Sequence, residues 1–217
     1  MMDFTLWDIL RNLLLAARWT LALSAAAFIG GGVVGIAVMV ARIDRRRPVQ
    51  RGAELYIGLF QGTPLLMQLF LVFFGLPMLG LRIEPWTAAV LALTLSASAY
   101  LAEIWRGGVQ ALPLGQWDAG ASLGLHYVAQ LRLVILPQAF RITRAPTVGF
   151  LVQLVKSTAL TSIIGFEEMM RAANAISNAT FAPFEVYGFV ALIYFAMCFP
   201  LTRYARALER KESFAGR

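Results

Sequence analysis

Long apolar runs separated by short polar stretches dominate the chain. A membrane helix needs about 20 mainly apolar residues, because the hydrocarbon core is about 30 Å thick and a helix rises about 1.5 Å per residue. Five runs meet this length, and they predict spans at about residues 19–41, 55–80, 85–105, 142–166 and 184–203. The pattern therefore predicts an all-α membrane protein with five transmembrane helices in a single domain over residues 1–217.

A sixth apolar run, over residues 125–140, is shorter than the others. It carries Arg132 near its middle, and Pro137 is expected to break it near its end. It is therefore predicted to lie at the membrane interface or to be buried in protein. The first span is longer than the roughly 7 to 15 residues of a secretory signal core, so we expect it to be a retained helix.

Composition excludes an ordinary water-soluble domain. The chain is 59% hydrophobic and only 14% charged, with a mean hydropathy of +0.68. Its net charge of +7 is divided among loops between membrane-length runs, so no nucleic-acid partner is predicted. Cys198 has no second cysteine for an internal disulfide and is interpreted as a small apolar filler.

The distribution of basic residues predicts the orientation, because loops rich in Lys and Arg stay in the cytoplasm. These residues concentrate after the first span, between the third and fourth spans, and in the tail. The N-terminus is therefore predicted outside and the C-terminus in the cytoplasm. The long connection over residues 106–140 becomes a cytoplasmic loop.

That loop contains the most specific pattern in the chain. It reads Asp118-Ala119-Gly120-Ala121-Ser122-Leu123-Gly124 and then, after nine intervening residues, Val134-Ile135-Leu136-Pro137. Small residues give a short helix a low surface that suits docking, Asp118 is expected near the positive end of the helix, and Gly124 can end it. The pattern resembles the EAA loop of binding-protein-dependent ABC importer permeases, although Asp118, Gly120 and Val134 depart from the usual residues.

The resemblance extends from about Trp19 to Glu209 and narrows to the polar amino acid uptake branch of that family. Its marks, in chain order, are Gln61-Gly62-Thr63-Pro64-Leu65 with Gln68, Ala99-Tyr100-Leu101-Ala102-Glu103-Ile104-Trp105-Arg106-Gly107-Gly108-Val109, Leu136-Pro137-Gln138-Ala139 and Lys156-Ser157-Thr158-Ala159-Leu160. Ser157 departs from the acidic residue of many relatives, which weighs against a charged pair there.

What the resemblance implies is a MetI-like type I ABC importer permease fold in the bacterial inner membrane. Expected partners are two copies of an ABC ATPase, a second permease subunit, identical or paralogous, and a periplasmic solute-binding protein, besides membrane lipid. The expected solute is a polar or charged L-amino acid or a close analogue such as an opine. The coupling residues expected to contact the ATPase are Asp118, Ala119, Gly120, Ser122, Gly124, Leu136 and Pro137.

An ATP site of its own is not predicted. The phosphate-binding pattern that ends in Lys-Ser requires glycines where Phe150 and Val155 stand. The single histidine, His126, has no cysteine or carboxylate at ligand spacing. We therefore predict a non-catalytic subunit without catalytic or metal-binding residues, whose ATP and Mg²⁺ are bound by the partner ATPase.

Polar side chains within the spans are candidates for the solute pathway, because buried polar groups and broken helices tend to line such pathways. Gly62 and Pro64 are expected to weaken the second span. The candidates are Gln61, Thr63, Pro64, Gln68, Ser98, Tyr100, Glu103, Gln153, Lys156 and Thr158, with Ser96 and Ser162 behind them. Since five helices enclose little space, the pathway is expected between two permease subunits.

Several alternatives stay open at this level. The pairs Gly31/Gly35 and Gly58/Gly62 have the spacing of close helix packing, which is the preferred interpretation of the first pair. Lys156 can meet a solute carboxylate, extend to the interface, or pair with Glu103 or with an acid of a partner; for Glu103 itself a local pair with Arg106 is the default. The alternative function is an ion-coupled secondary transporter, but the internal repeats and mid-membrane charges typical of that class are not found.

Overall fold

The computed structural model describes residues 5–215, with side chains described over residues 5–211, and all regular structure in that part is helical. Eight helices follow one another, with π-helical turns in α3 and α6 and a 3₁₀ end on α6. They are α1 Leu6–Arg42, α2 Arg47–Gly62, α3 Leu65–Met78, α4 Pro85–Gln110, α5 Leu114–Ser122, α6 Tyr127–Ile164, α7 Met169–Thr180 and α8 Pro183–Ala215.

Helix α1 begins at Leu6, thirteen residues before the predicted start of the first span. Thr5 and Asp8 form a capping box there: the Thr5 hydroxyl accepts from the Asp8 N–H at 3.2 Å, and the Asp8 carboxylate accepts from the Thr5 N–H at 3.1 Å. Arg11 and Arg18 interrupt the hydropathy but not the helix. The predicted charge-free span therefore covers only part of helix α1.

Helices α1 and α4 pack side by side and form the centre of the fold. A Cβ added at Gly31 would lie 2.7 Å from the Ala97 Cβ, and one at Gly35 would lie 3.1 Å from the Ser98 carbonyl oxygen. The first glycine pair therefore permits close helix packing, as the preferred interpretation held. The surrounding core is apolar and dominated by small residues: Leu23, Ala27, Ala88, Ala89, Ala92, Leu93 and Ala97.

The second predicted span is broken where Gly62 and Pro64 indicate. Helix α2 ends at Gly62, α3 begins at Leu65, and their axes differ by 102°. Helices α1, α4, α6 and α8 are each long and apolar enough to cross a membrane, and α2 with α3 adds a fifth, bent span. The predicted fold class, all-α with five spans, agrees with this architecture.

The interpretation of residues 125–140 as a separate broken element was wrong. Helix α6 runs without interruption from Tyr127 to Ile164, through both Pro137 and Pro146. A wider π-helical turn over Leu131–Ile135 directly precedes Pro137. Such a turn frees space and backbone groups where a proline ring would otherwise collide with the preceding turn, so the helix continues.

Helices α7 and α8 pack against the first half of α1. Their shared core contains Ile9, Leu13, Ala17, Met169, Ala173, Ile176, Val186, Val190 and Ile193. The α6 helix ends in a left-handed residue, Gly165 with φ 88°, and the chain then turns into α7. Helix α8 continues to Ala215, beyond the predicted end near residue 203.

Candidate functional site

Helix α5 is the short helix predicted in the long loop, and most of it is exposed. Asp118, Ala119, Ala121 and Ser122 are all exposed, and Asp118 and Ala121 also line a cleft of about 800 Å³ between α5 and the end of α1. Two large apolar side chains at its ends, Leu114 and Leu123, are each 79% exposed. A low helix flanked by exposed leucines has the form of a docking surface without an occupant in this chain.

Two details of α5 differ from expectation. Asp118 is the fifth of nine helical residues, so it lies beyond the first turn, where the helix N-terminus would favour a carboxylate most. Gly120 is buried, and a Cβ there would lie 3.0 Å from Cγ of Gln130. The absence of a side chain at Gly120 therefore lets α5 pack closely against α6. It has no effect on the exposed face of α5.

The end of α5 follows the sequence prediction. Gly124 has φ 74° and closes the helix, with its N–H bonded to the Ala121 carbonyl at 2.9 Å and the Leu125 N–H bonded to the Gly120 carbonyl at 3.1 Å. These two bonds form the Schellman arrangement that a left-handed glycine permits. Gly124 itself is exposed.

Leu136 and Pro137 lie away from the exposed face of α5. Leu136 is half-buried and packs with Val109, Ile135 and Trp117. The Trp117 ring in turn stacks on Tyr127 at 5.8 Å, and the Arg45 guanidinium lies 4.2 Å from the centre of the Tyr127 ring. Leu136 and the Trp117–Tyr127 stack therefore anchor α5 to α6, and Arg45 extends this contact to the segment that follows α1.

Gln68 organises the break between α2 and α3. Its amide nitrogen donates to the Phe60 carbonyl at 2.8 Å, the Thr63 carbonyl at 3.1 Å and the Thr63 hydroxyl at 3.0 Å. Its carbonyl oxygen is buried without a hydrogen-bond partner among the described residues. Gln61 crosses to α4, where its amide donates to the Ala99 carbonyl at 3.3 Å. Polar side chains thus satisfy backbone groups that the bend exposes.

A small cleft of about 80 Å³ opens beside this break. Three predicted pathway residues, Thr63, Tyr100 and Gln153, line it together with Ser96. Ser157 also lines it, and sequence reasoning had treated this residue only as a departure from the acidic pattern. The break, α4 and α6 therefore bring hydroxyl and amide groups together inside one subunit, where the pathway was expected only between subunits.

Ser98 and Thr158 lie outside the cleft and are both buried. The Ser98 hydroxyl bonds to the Tyr56 hydroxyl at 2.7 Å and donates to the Leu95 carbonyl at 2.7 Å. The Thr158 hydroxyl donates to the Val155 carbonyl at 2.8 Å. Both hydroxyls are engaged inside the helical scaffold.

Glu103 belongs to a charge cluster at one end of α1, α2 and α4. Its carboxylate is bound by Arg106 at 2.6 Å and lies 3.8 Å from Arg42, which also contacts Glu54 at 3.2 Å. The predicted local pair with Arg106 is present. A pair between Glu103 and Lys156 is not: Lys156 is exposed on α6 and makes no hydrogen bond or ion pair with any described residue.

Glu168 is a buried carboxylate that sequence reasoning missed. It caps α7 by accepting from the Arg171 N–H at 2.8 Å, and it also accepts from the Thr20 hydroxyl at 3.3 Å. Burial raises the pKa of this carboxyl, against the lowering effect of its backbone donors. The available signal was an acidic residue directly before a helix, which is typical of an N-cap.

Comparison with known proteins identifies the class and then the family. The family described as "Binding-protein-dependent transport system inner membrane component" matches residues 31–213. The "Probable amino-acid ABC transporter permease protein YckA" of Bacillus subtilis (strain 168) is 35% identical, over 89% of this chain and 85% of that protein. The "Arginine transport system permease protein ArtQ" of the same organism is 37% identical, over 88% of each chain.

Among solved structures, the chain is similar to "Crystal structure of an amino acid ABC transporter with histidines". The TM-score is 0.88 at 33% sequence identity, and the match covers 97% of this chain and 100% of that one. The fold and its exposed loop helix thus define a multi-pass transporter subunit. The chain belongs to the family of inner membrane components of binding-protein-dependent transport systems.

Proposed function

We propose that this chain is the permease subunit of an ABC importer, and that it forms the pathway for a polar or charged L-amino acid or a close analogue such as an opine. The observation that carries the proposal is the combination, in one chain, of an exposed docking helix with a polar cleft inside an apolar helical scaffold. Family membership and the named amino acid permeases among its relatives support the solute class.

The proposed assembly contains two permeases, identical or paralogous, two ATPase subunits and a periplasmic solute-binding protein. ATP and Mg²⁺ belong to the ATPases. The chain lies in the bacterial inner membrane with its N-terminus in the periplasm and its C-terminus in the cytoplasm, a topology supported by the excess of arginines near α5 and in the tail.

Coupling is proposed to pass through α5. The exposed face formed by Asp118, Ala119, Ala121 and Ser122 seats in a groove of the ATPase, and Leu114 and Leu123 cover its edges. Gly120, Gly124 and Leu136–Pro137 shape and anchor this helix. Because Trp117 packs against the α4–α6 core, movement of α5 is transmitted to the spans that line the cleft.

Solute contact is proposed at the α2–α3 break. Thr63, Ser96, Tyr100, Gln153 and Ser157 offer hydroxyl and amide groups without a charge. Gln61, Pro64 and Gln68 are proposed to shape the bend beside the cleft without contacting the solute themselves. We propose that Glu103 serves as a partner for cations in the charge cluster at the helix ends and that Ser98 and Thr158 serve the scaffold. In this proposal none of the three contacts the solute.

Uptake into proteoliposomes tests the function directly. The chain is reconstituted with its ATPase and binding protein, and uptake of labelled amino acids is measured with internal ATP, with ATP but no binding protein, and with an ion gradient alone. We expect uptake only in the first arm. Uptake driven by the ion gradient alone would establish the secondary transporter instead.

Cysteine cross-linking tests the coupling step. Ser122→Cys on the exposed face is expected to cross-link to the ATPase subunit, whereas Cys at Leu131, on the half-buried start of α6, serves as the matched control. Equal yields at the two positions, or no product across several exposed α5 positions, would rule out docking through this helix.

Lys156 supplies a separate test of the pathway. Its exposed ammonium has no hydrogen-bond or ion-pair partner among the described residues and is proposed to meet a solute carboxylate or an acid of the second permease. Lys156→Ala is expected to abolish uptake while the complex still assembles, and Lys156→Arg is expected to retain part of it. Normal affinity in the alanine variant would remove Lys156 from the pathway.

A further inference from the structure

Two adjoining clefts open where α1, α4 and α7 meet. The first, of about 520 Å³, is lined by Trp19, Glu84, Pro85, Trp86, Phe166 and Glu167. The second, of about 410 Å³, shares Trp19 and Glu167 and is also lined by Arg18 and Arg171. The first cleft is therefore an acidic lobe with two carboxylates, and only the second contains guanidinium groups, next to the shared Glu167 and the buried Glu168.

The opposite charges in these clefts do not pair with each other. Glu84, Glu167, Arg18 and Arg171 are all described, and none of them takes part in an ion pair among the described residues. Arg18 instead lies over the Trp19 ring, 5.6 Å from its centre. These carboxylates and guanidinium groups thus lie side by side without ion-pair partners, an arrangement that suits a ligand carrying both charges.

Aromatic rings line the acidic lobe. The Trp86 ring lies 5.3 Å from Phe166 and meets Trp19 edge to face at 6.0 Å. A tryptophan face beside carboxylates attracts an ammonium group, because the ring quadrupole and the negative charge act in the same sense. The acidic lobe therefore suits an ammonium, and the lobe with Arg18 and Arg171 suits a phosphate.

The clefts lie at the depth of lipid headgroups. In helix α1, Arg42 lies 23 positions after Trp19, about 35 Å at 1.5 Å per residue. In helix α4, Arg106 lies 20 positions after Trp86, about 30 Å. Since the hydrocarbon core is about 30 Å thick, the clefts face the membrane surface opposite Arg42 and Arg106, where tryptophans typically lie.

An exposed apolar stripe leads from the clefts into the hydrocarbon. It winds along one side of α1 at helical spacing, and its large members are Leu15, Trp19, Ile29, Val33, Ile36 and Val40. Each is at least 44% exposed, the lowest fraction being that of Trp19. A lipid whose headgroup occupied the clefts would find a continuous surface for an acyl chain.

We propose that the paired clefts bind the headgroup of phosphatidylethanolamine, with its ammonium at Glu84, Glu167 and Trp86 and its phosphate at Arg18 and Arg171. A primary ammonium can donate hydrogen bonds to both carboxylates, which the quaternary ammonium of phosphatidylcholine cannot do. Phosphatidylglycerol lacks the cation altogether. Glu168 is buried and bonded to the Arg171 backbone, so it positions the phosphate lobe without touching the lipid.

Lipid retention tests this inference without relying on transport. The assembled transporter is equilibrated in nanodiscs with equal fractions of phosphatidylethanolamine, phosphatidylcholine and phosphatidylglycerol, and the lipids that stay bound on detergent washing are counted by native mass spectrometry. We expect phosphatidylethanolamine to be enriched. Glu167→Gln and Arg171→Gln are expected to weaken its retention about tenfold each, the factor for losing roughly 1.4 kcal/mol of binding.

Matched controls use the same substitutions outside the clefts. Glu185→Gln and Arg82→Gln lie on exposed positions that line neither cleft and are expected to retain lipid like the unchanged protein. Equal retention of the three lipids, or equal retention by cleft and control variants, overturns the proposal. Displacement of the lipid by millimolar free glutamine would assign the clefts to solute. Weakened binding-protein affinity with unchanged lipid retention would assign them to protein docking.

Discussion

The pairs Gly31/Gly35 on α1 and Gly58/Gly62 on α2 have the same spacing and opposite surroundings. Added Cβ atoms at the first pair would press on Ala97 and on the α4 backbone. At the second pair, no heavy atom lies within 4 Å of an added Cβ. Small residues therefore close the α1–α4 seam but leave α2 open, so glycine spacing alone does not identify a contact.

The contrast extends to the elements around each pair. The seam is a continuous apolar core with residues such as Leu93 and Ala97 fully buried, whereas α2 presents Leu55 at 76% exposure. Polar bonds from Gln68 hold the bend at the end of α2, and the cleft opens there. Close packing thus stabilises the scaffold, whereas hydrogen bonds to backbone groups stabilise the bend beside the proposed pathway.

The largest predicted effect is at the seam. Gly31→Val places a Cβ 2.7 Å from the Ala97 Cβ and 3.3 Å from the Ser98 nitrogen. Because both neighbours belong to a packed helix, we expect a loss of about 3 kcal/mol in the free energy of unfolding. Thermal unfolding of the purified permease in detergent measures it. The control is Gly58→Val, and a comparable loss there would contradict the distinction between the two pairs.

The next effect is at the bend. Gln68→Leu removes three hydrogen bonds that the side-chain amide donates, and it leaves the Phe60 and Thr63 carbonyls unsatisfied. We expect the free energy of unfolding to fall by about 2 kcal/mol. We also expect most of the uptake activity to be lost. Uptake in proteoliposomes and thermal unfolding are measured together. Gln138→Leu, on α6 and away from the cleft, is the matched control. Unchanged uptake in the Gln68 variant would show that the bend needs no polar clamp.

A smaller effect is expected at the end of α5. Gly124 has φ 74°, where an L-residue is strained, so Gly124→Ala is expected to lower stability by about 1 kcal/mol. Gly115→Ala on the same helix has open space and an ordinary backbone, so it is expected to be neutral or stabilising. Differential hydrogen exchange over residues 114–125 would compare the two, and equal protection would argue against a left-handed stop.

Sequence reasoning predicted the number of apolar spans and the position of the bend, because both depend on local signals, namely apolar length and the Gly62–Pro64 pair. It preferred close packing for Gly31/Gly35 and left Gly58/Gly62 open, because the difference between the pairs depends on which helix packs beside each of them. It placed a break at Pro137 because the rule for proline assumes regular helix geometry, and the wider turn over Leu131–Ile135 removes that constraint.

For the same reason, sequence reasoning predicted some of the residues that line the cleft and also selected residues that do not line it. Thr63, Tyr100 and Gln153 were predicted from polarity within apolar runs and do share a cleft. Ser98 and Gly120 carry the same local signals, but the first is bonded to Tyr56 and the second contacts Gln130. Which hydroxyl faces a cleft, and which glycine faces a neighbour, is set by helix rotation, which no short pattern encodes.

The smallest effect on stability is expected at Glu168, which links α7 to α1 by accepting a hydrogen bond from the Thr20 hydroxyl. Burial raises the pKa of this carboxyl above its ordinary value of about 4.5, so the folded chain holds the proton more tightly than the unfolded chain. That contribution to stability is fully present below the ordinary value and is lost as the pH rises through the raised folded value. Glu168→Gln keeps the side chain's size and its bond from the Arg171 N–H but cannot ionise.

The variant is therefore expected to gain stability relative to the unchanged protein as the pH rises above about 4.5. Thermal unfolding of both proteins from pH 4 to pH 8 gives the comparison, with Glu185→Gln, an exposed glutamate at the start of α8, as the control with a flat difference. A difference of the opposite slope would mean that the ionised carboxylate is the form the fold stabilises. In that case, hydrogen bonds from Thr20, Met170 and Arg171 would stabilise the ionised carboxylate more than burial destabilises it. The contact between α1 and α7 would then depend on a charged group.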